Sequence, residues 1–323
     1  MSEPVLAGAD WPLFGWSDDI RPALAAALAA GRPAVLATLF KVEGSAPRGA
    51  GAQMLFDGGQ ASGYFSGDCI EADVARHAAE VLADGQPRRL HYGLGSPWID
   101  IRLRCGGALH VLAERIAPDS APARQLLEHA RARHQCLWSS DGRDQRVTPG
   151  DGPLLWIDGE HIARRFDPPR RLVVSGGDPA ALAIARLAGL ANFETIVVRP
   201  DGPEMPPPFA VAHYSRESIV DALAALGVDR WTAFVGATHE DHHDLAACLH
   251  ALRQGAAWVG MIGAKSRAGG RKAALEAAGA SAEELARLNL SPGIAGLGKA
   301  PFEVATGILA AVMQAMNPAS ERV

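Results

Sequence analysis

The sequence is poor in several things. Lysine is scarce, aromatic residues make up only 6%, and the four cysteines lie far apart. No stretch approaches the roughly 18 to 20 apolar residues that a membrane-spanning helix needs, so none is expected. Four scattered cysteines do not make a disulfide framework, and reduced thiols in the cytoplasm are expected instead. The first residues carry Glu3, Asp10, Asp18 and Asp19 and no apolar run, so a signal peptide is not expected. A net charge of -5 offers no basic surplus for nucleic acid or an anionic membrane.

What remains is an ordinary globular composition, 48% hydrophobic and 21% charged. At 323 residues, two domains with separate cores are expected. The chain is organised around Gly63-Tyr64-Phe65-Ser66-Gly67-Asp68-Cys69-Ile70-Glu71. Alternating residues up to Phe65 suggest a strand, and the spacing of Val74, Ala78, Val81 and Leu82 predicts a helix starting near Cys69 and stopping at Asp84-Gly85. Unpaired backbone N–H groups and the helix dipole converge at such a junction, which favours an anion or a thiolate there. Asp68, Glu71 and Asp73 also suit the positive end of the dipole. Cys105 precedes two glycines in Arg104-Cys105-Gly106-Gly107, and Ser45-Ala46-Pro47-Arg48 lies in a third glycine-rich stretch. These three stretches are expected to form one binding site, with Arg48 either neutralising a phosphate or lying solvated in its turn. Cys136 and Cys248 sit in apolar patterns and read as small buried hydrophobes.

Other elements follow from periodicity. Ser17 is placed as the N-cap of a helix reaching about Ala30, with a buried strand at Ala34–Phe40 and a hairpin at Gln53–Phe65. Strands are expected at Arg89–Tyr92, Trp98–Leu103 and Ala108–Glu114, a helix over Ala123–Arg133, a polar turn-rich stretch at residues 140 to 152, and a hairpin about Asp158-Gly159. Arg164–Arg170 is charged and holds Pro168-Pro169, so it marks the domain boundary. Beyond it, short apolar strands at Leu172–Val174, Thr195–Val198, Thr232–Val235 and Ala257–Ile262 alternate with helices. Such alternation predicts a parallel, doubly wound sheet. The expected fold class is therefore α/β: a mixed α+β domain over residues 1–163, then a Rossmann-like doubly wound domain over 164–323.

The first turn of the second half reads Ser175-Gly176-Gly177-Asp178, where a Rossmann domain places phosphate-binding glycines. It lacks G-x-G-x-x-G, and Asp178 brings a negative charge. Arg199 ends the second strand where a ribose-binding acid is usual, a place suited to a 2′-phosphate. His239-Glu240-Asp241-His242-His243 matches H-E-x-x-H in form, but it follows a strand directly, with Thr238 as N-cap. His239 is accordingly read as facing a ligand or starting a helix rather than holding zinc.

The order of Gly44–Arg48, the Ser-Gly-x-Cys-x-Glu core of Gly63–Glu71, Cys105-Gly106-Gly107, the Thr238-His239 strand end and Val259–Arg267 resembles the XdhC/CoxI family across nearly the whole chain. Members of that family are accessory proteins of molybdenum hydroxylases such as xanthine dehydrogenase. The resemblance implies binding of molybdenum cofactor, support for exchanging a molybdenum oxo ligand for sulfur, and delivery to the apoenzyme. It implies a chaperone more than a turnover enzyme. On this reading Cys69 and Cys105 ligate molybdenum or accept a persulfide sulfur. Arg48, Ser45, Ser66, Gly67, Gly106 and Gly107 would contact the cofactor, with Gly176, Gly177 and His239 adding contacts from the second half. The expected partners are an apo molybdenum hydroxylase, a cysteine desulfurase for the sulfur step, and a second copy in a homodimer. Departures from the family pattern are Asp68 in place of a glycine, Ser175-Gly176-Gly177-Asp178 in place of Gly-Ala-Gly-His, Arg199 in place of an acid, and Ser291–Leu297. An NAD(P)-dependent oxidoreductase using residues 171–316, a zinc hydrolase through His239 and His243, and a pure scaffold are the competing readings.

Overall fold

The computed structural model describes residues 17–96, 103 and 106–317; Cys105, Arg104 and most of the expected Trp98–Leu103 strand lie outside the described residues. The chain divides into two compact units, Met1–Pro168 and Pro169–Val323.

The first unit opens with α1 (Arg21–Ala29), followed by β1 (Ala34–Glu43), β2 (Gln53–Phe56), β3 (Ala61–Ser62), α2 (Glu71–Asp84), β4 (Arg88–Gly93) and β5 (Ala108–Ile116). The strands form an antiparallel sheet in the order β3-β2-β1-β5-β4. β1 lies in the middle and is buried on both faces, which explains its unbroken apolar run. Val35, Ala37 and Leu39 face one cluster with Val74, Ala78 and Val81 of α2. The alternate residues Ala34 and Leu36 face a second cluster with Leu24 of α1. α3 (Ala121–Arg131) adds Ala123 and Leu126 to that second cluster and is capped by Ser120. A four-stranded antiparallel sheet completes the unit, from β6 (Cys136–Ser140), β7 (Gln145–Pro149), β8 (Leu155–Asp158) and β9 (His161–Phe166), ordered β7-β6-β9-β8.

Several local expectations need correction. α1 is capped at Ile20; the Ser17 hydroxyl instead bonds to the backbone of Asp19. α2 starts at Glu71, so Cys69 precedes the helix. β7 lies within the polar stretch expected to be turn: its exposed side chains hide it from hydrophobic periodicity, and pairing to β6 makes it a strand. Arg164–Phe166 belong to β9, where Arg164 lies over the Phe166 ring and donates to the Gly51 carbonyl.

The second unit comprises β10 (Arg171–Ser175), α4 (Pro179–Leu190), β11 (Glu194–Val198), β12 (His213–Ser215), α5 (Ile219–Leu226), β13 (Thr232–Gly236), α6 (Asp241–Arg253), β14 (Trp258–Met261), α7 (Ala268–Ala277), α8 (Ala282–Arg287), β15 (Leu288–Asn289) and α9 (Pro301–Met316). Its strands are all parallel, in the order β12-β11-β10-β13-β14-β15. Leu172 and Val174 face α4 and α9 on one side of the sheet. Val173, Ile196 and Val198 face α5 and α6 on the other. This is the doubly wound architecture expected of α/β alternation, and the strand order reverses between β10 and β13. β12 and β15 are too short to show a period. α5 begins at Ile219 behind a Ser218 cap, so Ser215 belongs to β12.

Candidate functional site

Strand register explains how three separated stretches reach one place in the first unit. Glu43 at the end of β1 pairs with Ala108 at the start of β5, and Gly93 at the end of β4 pairs with the same Ala108. β2 begins beside Thr38, and β3 ends at Ser62 beside Leu55, from where Gly63 runs against the Gln53 carbonyl at the start of β2. The loops carrying Ser45, Gly63–Cys69 and Gly107 therefore all leave the same end of the antiparallel sheet. Contacts join parts of these loops. A β-carbon on Gly107 would lie 2.4 Å from the Ser45 carbonyl oxygen and 2.7 Å from that of Glu43, so only glycine lets those two loops touch. The Arg48 guanidinium lies 4.9 Å from the centre of the Tyr64 ring and binds the exposed Asp18 carboxylate at 2.5 Å. Ala46 and the half-buried Cys69 pack against one apolar cluster, which also contains Leu103.

The junction before α2 differs from the sequence expectation in one respect. Its N–H groups do converge on an anion, and the anion is the chain's own Glu71. This carboxylate, 2% exposed, accepts from the backbone N–H groups of Phe65 (2.9 Å), Ser66 (2.6 Å), Gly67 (3.0 Å), Asp68 (2.8 Å) and Ile70 (3.2 Å). The Ser66 hydroxyl donates to it at 2.6 Å, while Ser66 Oγ receives the Cys69 N–H at 2.9 Å. Burial alone would raise the Glu71 pKa, but the hydrogen bonds from Ser66, Phe65 and Asp68 prevail and hold it at about 2. Ser66 and Gly67 thus shape the loop through Glu71, and the Cys69 backbone is committed as well. From sequence Glu71 is only a partner of the helix dipole. Its spacing from Ser66 is the one visible signal of this larger role.

Sequence reasoning also misses His91 and His110. They face each other on β4 and β5, with rings stacked 4.2 Å apart, and His110 Nε2 lies 3.4 Å from the Glu43 carboxylate. Burial, then the neighbouring His91, push the His110 pKa down. Eighteen residues lie between the pair, and only the register of the two strands brings them together. Nearby, Tyr92 is buried and donates its hydroxyl to Asp73 at 2.8 Å, and burial and that carboxylate push its pKa up.

In the second unit Asp178 caps α4, accepting the Ala181 N–H at 2.7 Å, and its other oxygen meets His239 Nε2 at 2.9 Å. Gly176 turns with φ 115°, and a β-carbon there would lie 2.3 Å from the Ala237 carbonyl oxygen. Gly176, Gly177 and His239 therefore do meet at the strand-order reversal. The helix after β13 is capped by Glu240 rather than Thr238, so His239 lies off α6 and is not one helical turn from His243. The H-E-x-x-H pair needed for a zinc hydrolase is absent. Glu240, His242 and His243 do bring donor atoms within 4.8 Å of one another, all exposed. Beneath this turn, buried Asp244 accepts from Ser175 Oγ (3.1 Å) and from the Thr238 N–H (3.0 Å), and burial raises its pKa.

Comparison with known proteins decides the family. The model for the XdhC and CoxI family matches residues 27–93, and the model for the XdhC Rossmann domain matches residues 172–312. The chain belongs to the XdhC/CoxI family. Its first matched segment holds Ser45, Arg48 and Gly63–Glu71, and its second holds all of the parallel sheet but Arg171. Among similar relatives, the molybdenum cofactor insertion chaperone PaoD of Escherichia coli (strain K12) is 27% identical over 88% of this chain and 84% of that protein. A probable xanthine dehydrogenase subunit from Bacillus subtilis (strain 168) is 26% identical over 72% of this chain and 80% of that protein. A crystal structure of a protein called a xanthine dehydrogenase, from Bacillus halodurans, matches the fold with a TM-score of 0.73. It is 21% identical, over 94% of this chain and 97% of its own. No helix among the described residues is long and apolar enough to cross a membrane.

Proposed function

We propose that this XdhC/CoxI protein binds molybdenum cofactor as cargo, protects it, supports its sulfuration and hands it to an apo molybdenum hydroxylase of the xanthine dehydrogenase type. The observation that carries the reading is the gathering of the Ser45–Arg48, Gly63–Cys69 and Gly106-Gly107 loops at one end of the first unit's sheet. It is supported by the similarity to a protein named as a molybdenum cofactor insertion chaperone.

The side chains suit such a cargo unequally. Cys69 is a half-buried free thiol, a soft ligand of the kind that suits a thiophilic metal. Among the described residues Arg48 pairs with an exposed carboxylate and a phenol ring alone, and a cofactor phosphate would displace Asp18 at little cost. The N–H groups of Phe65–Asp68 are a poor fit, because Glu71 already fills them. In this reading Arg48 meets the phosphate, and Cys69 with Cys105 meets the metal or carries sulfur supplied by a cysteine desulfurase. Ser45, Ser66, Gly67, Gly106 and Gly107 set the loop shape against which the cofactor lies. The work belongs to the cytoplasm, where the buried thiols of Cys136 and Cys248 stay reduced.

The test is anaerobic incubation of the purified protein with molybdenum cofactor, followed by removal of unbound cofactor. Retained pterin is read by fluorescence after acid oxidation, and molybdenum by metal analysis. Near-stoichiometric retention, lowered in Cys69→Ala and Cys105→Ala and weakened in Arg48→Ala, is the expected result. A wild-type protein that retains no pterin would sink the proposal.

A further inference from the structure

The second unit carries a cavity of its own. At the carboxyl ends of β10 and β11, Gly177, Leu182, Val197, Met205 and Tyr214 line a space of about 160 Å³, with Arg199 at its edge. The sequence builds its walls in a definite way. Tyr214 donates its hydroxyl to the Pro203 carbonyl at 2.8 Å, which ties the proline-rich loop down against β12. The Arg199 side chain passes between two glycines. A β-carbon on Gly177 would lie 2.6 Å from its Cδ and Nε, and one on Gly202 would lie 2.9 Å from its Cγ and Cδ. The guanidinium is exposed, and it has no hydrogen-bond or ion-pair partner among the described residues. The nearby acid Asp178 is occupied by the Ala181 N–H and by His239.

An apolar cavity beside an unpaired planar cation suits a flat ring that carries an anionic group. The position agrees, since open parallel sheets bind ligands at the carboxyl ends of strands beside the reversal of strand order. The size is restrictive. Sites for drug-sized ligands enclose roughly 300–1,000 Å³, so this cavity holds one base rather than a dinucleotide. The helix start is restrictive too. A diphosphate laid across the glycine turn would meet the Asp178 carboxylate where free N–H groups normally stand. We infer that the second unit binds a nucleoside monophosphate ester, with its base in the cavity and its phosphate on the Arg199 guanidinium. The inference is independent of the cofactor reading and stands or falls separately.

Titration calorimetry of the full chain with adenosine 2′-monophosphate, adenosine 5′-monophosphate, NAD⁺ and NADP⁺ tests it. At least one monophosphate should bind, and a charge-assisted phosphate contact makes Arg199→Ala about 10- to 100-fold weaker. Arg199→Lys should fall between the two. NAD⁺, which has no monoester, should bind about tenfold or more weaker than the ligand that does. Binding of the 2′-phosphate, with NADP⁺ weaker because its diphosphate meets Asp178, would assign a 2′-ester. Binding of the 5′-phosphate would assign a free mononucleotide. Either outcome supports the site. Equal binding of NAD⁺ and the monophosphates, unchanged affinity in a folded Arg199→Ala protein, or no binding at about 1 mM ligand would overturn it.

Discussion

Two junctions in this protein are built from the same parts, a strand, a glycine turn, an acidic residue and a helix start, yet they differ in depth. Before α2 the acid is Glu71, which reaches back into the loop, is buried, and accepts five backbone N–H groups and a hydroxyl. Before α4 the acid is Asp178, which caps a single N–H and shares its other oxygen with a histidine more than half exposed. Both turns look from sequence like cradles for a ligand anion. In both, a carboxylate of the chain itself takes the place, completely in the first and partly in the second. A glycine turn before a helix therefore signals an anion site, and an acid within a few residues decides whether the anion is a ligand.

Glu71→Ala should break the comparison most severely. It strands five backbone N–H groups at once, those of the buried Phe65 and Ile70 among them, and should lower unfolding stability by about 4 kcal/mol, read from the denaturant midpoint. A loss under about 1 kcal/mol would mean that water or a ligand readily replaces the carboxylate. The pH dependence reads the part of this contribution that needs the charge. The Glu71 pKa falls on folding from 4.5 to about 2. Its contribution is therefore complete above pH 4.5 and is lost as the pH falls towards 2. The shift corresponds to about 3 kcal/mol. Glu71→Gln should flatten that part of the acid unfolding curve.

Asp178→Ala should cost less, about 1 kcal/mol, the usual value for an N-cap. Asp178→Asn should recover most of that stability, because the amide oxygen still accepts the Ala181 N–H. If Asp178→Ala destabilised as much as Glu71→Ala, the two junctions would be equivalent and the contrast would fail. The smallest effect is expected at Asp68, which holds φ 106° without being glycine. Asp68→Gly relieves that strain against the entropy of a freer chain, for a net gain of about 1 kcal/mol or less. A loss of stability would show that the Asp68 side chain supports the loop.

Some of this is legible in the sequence, and the rest is hidden for physical reasons. β10, β11, β13 and β14 announce themselves because a parallel strand buried on both faces must be apolar throughout. The gathering of Ser45, Arg48, Gly63–Cys69 and Gly107 is readable from glycine-flanked motifs, although the sheet register that gathers them is not. The inward turn of Glu71 is hidden because it depends on left-handed backbone at Gly67 and Asp68, which no propensity specifies. The His91–His110 stack depends on pairing across a connection that contains Cys105. The short strands β12 and β15 are held by neighbours rather than by their own residues.

Glu71 has a last consequence, for motion. One carboxylate gathers the amides of Phe65, Ser66, Gly67, Asp68 and Ile70 while its own backbone starts α2, so loop and helix cannot loosen one at a time. In hydrogen exchange those five amides should open as a single unit with the first turn of α2, and more slowly than their place in a loop would suggest. The loop that carries Cys69 would then present its thiol from a fixed frame.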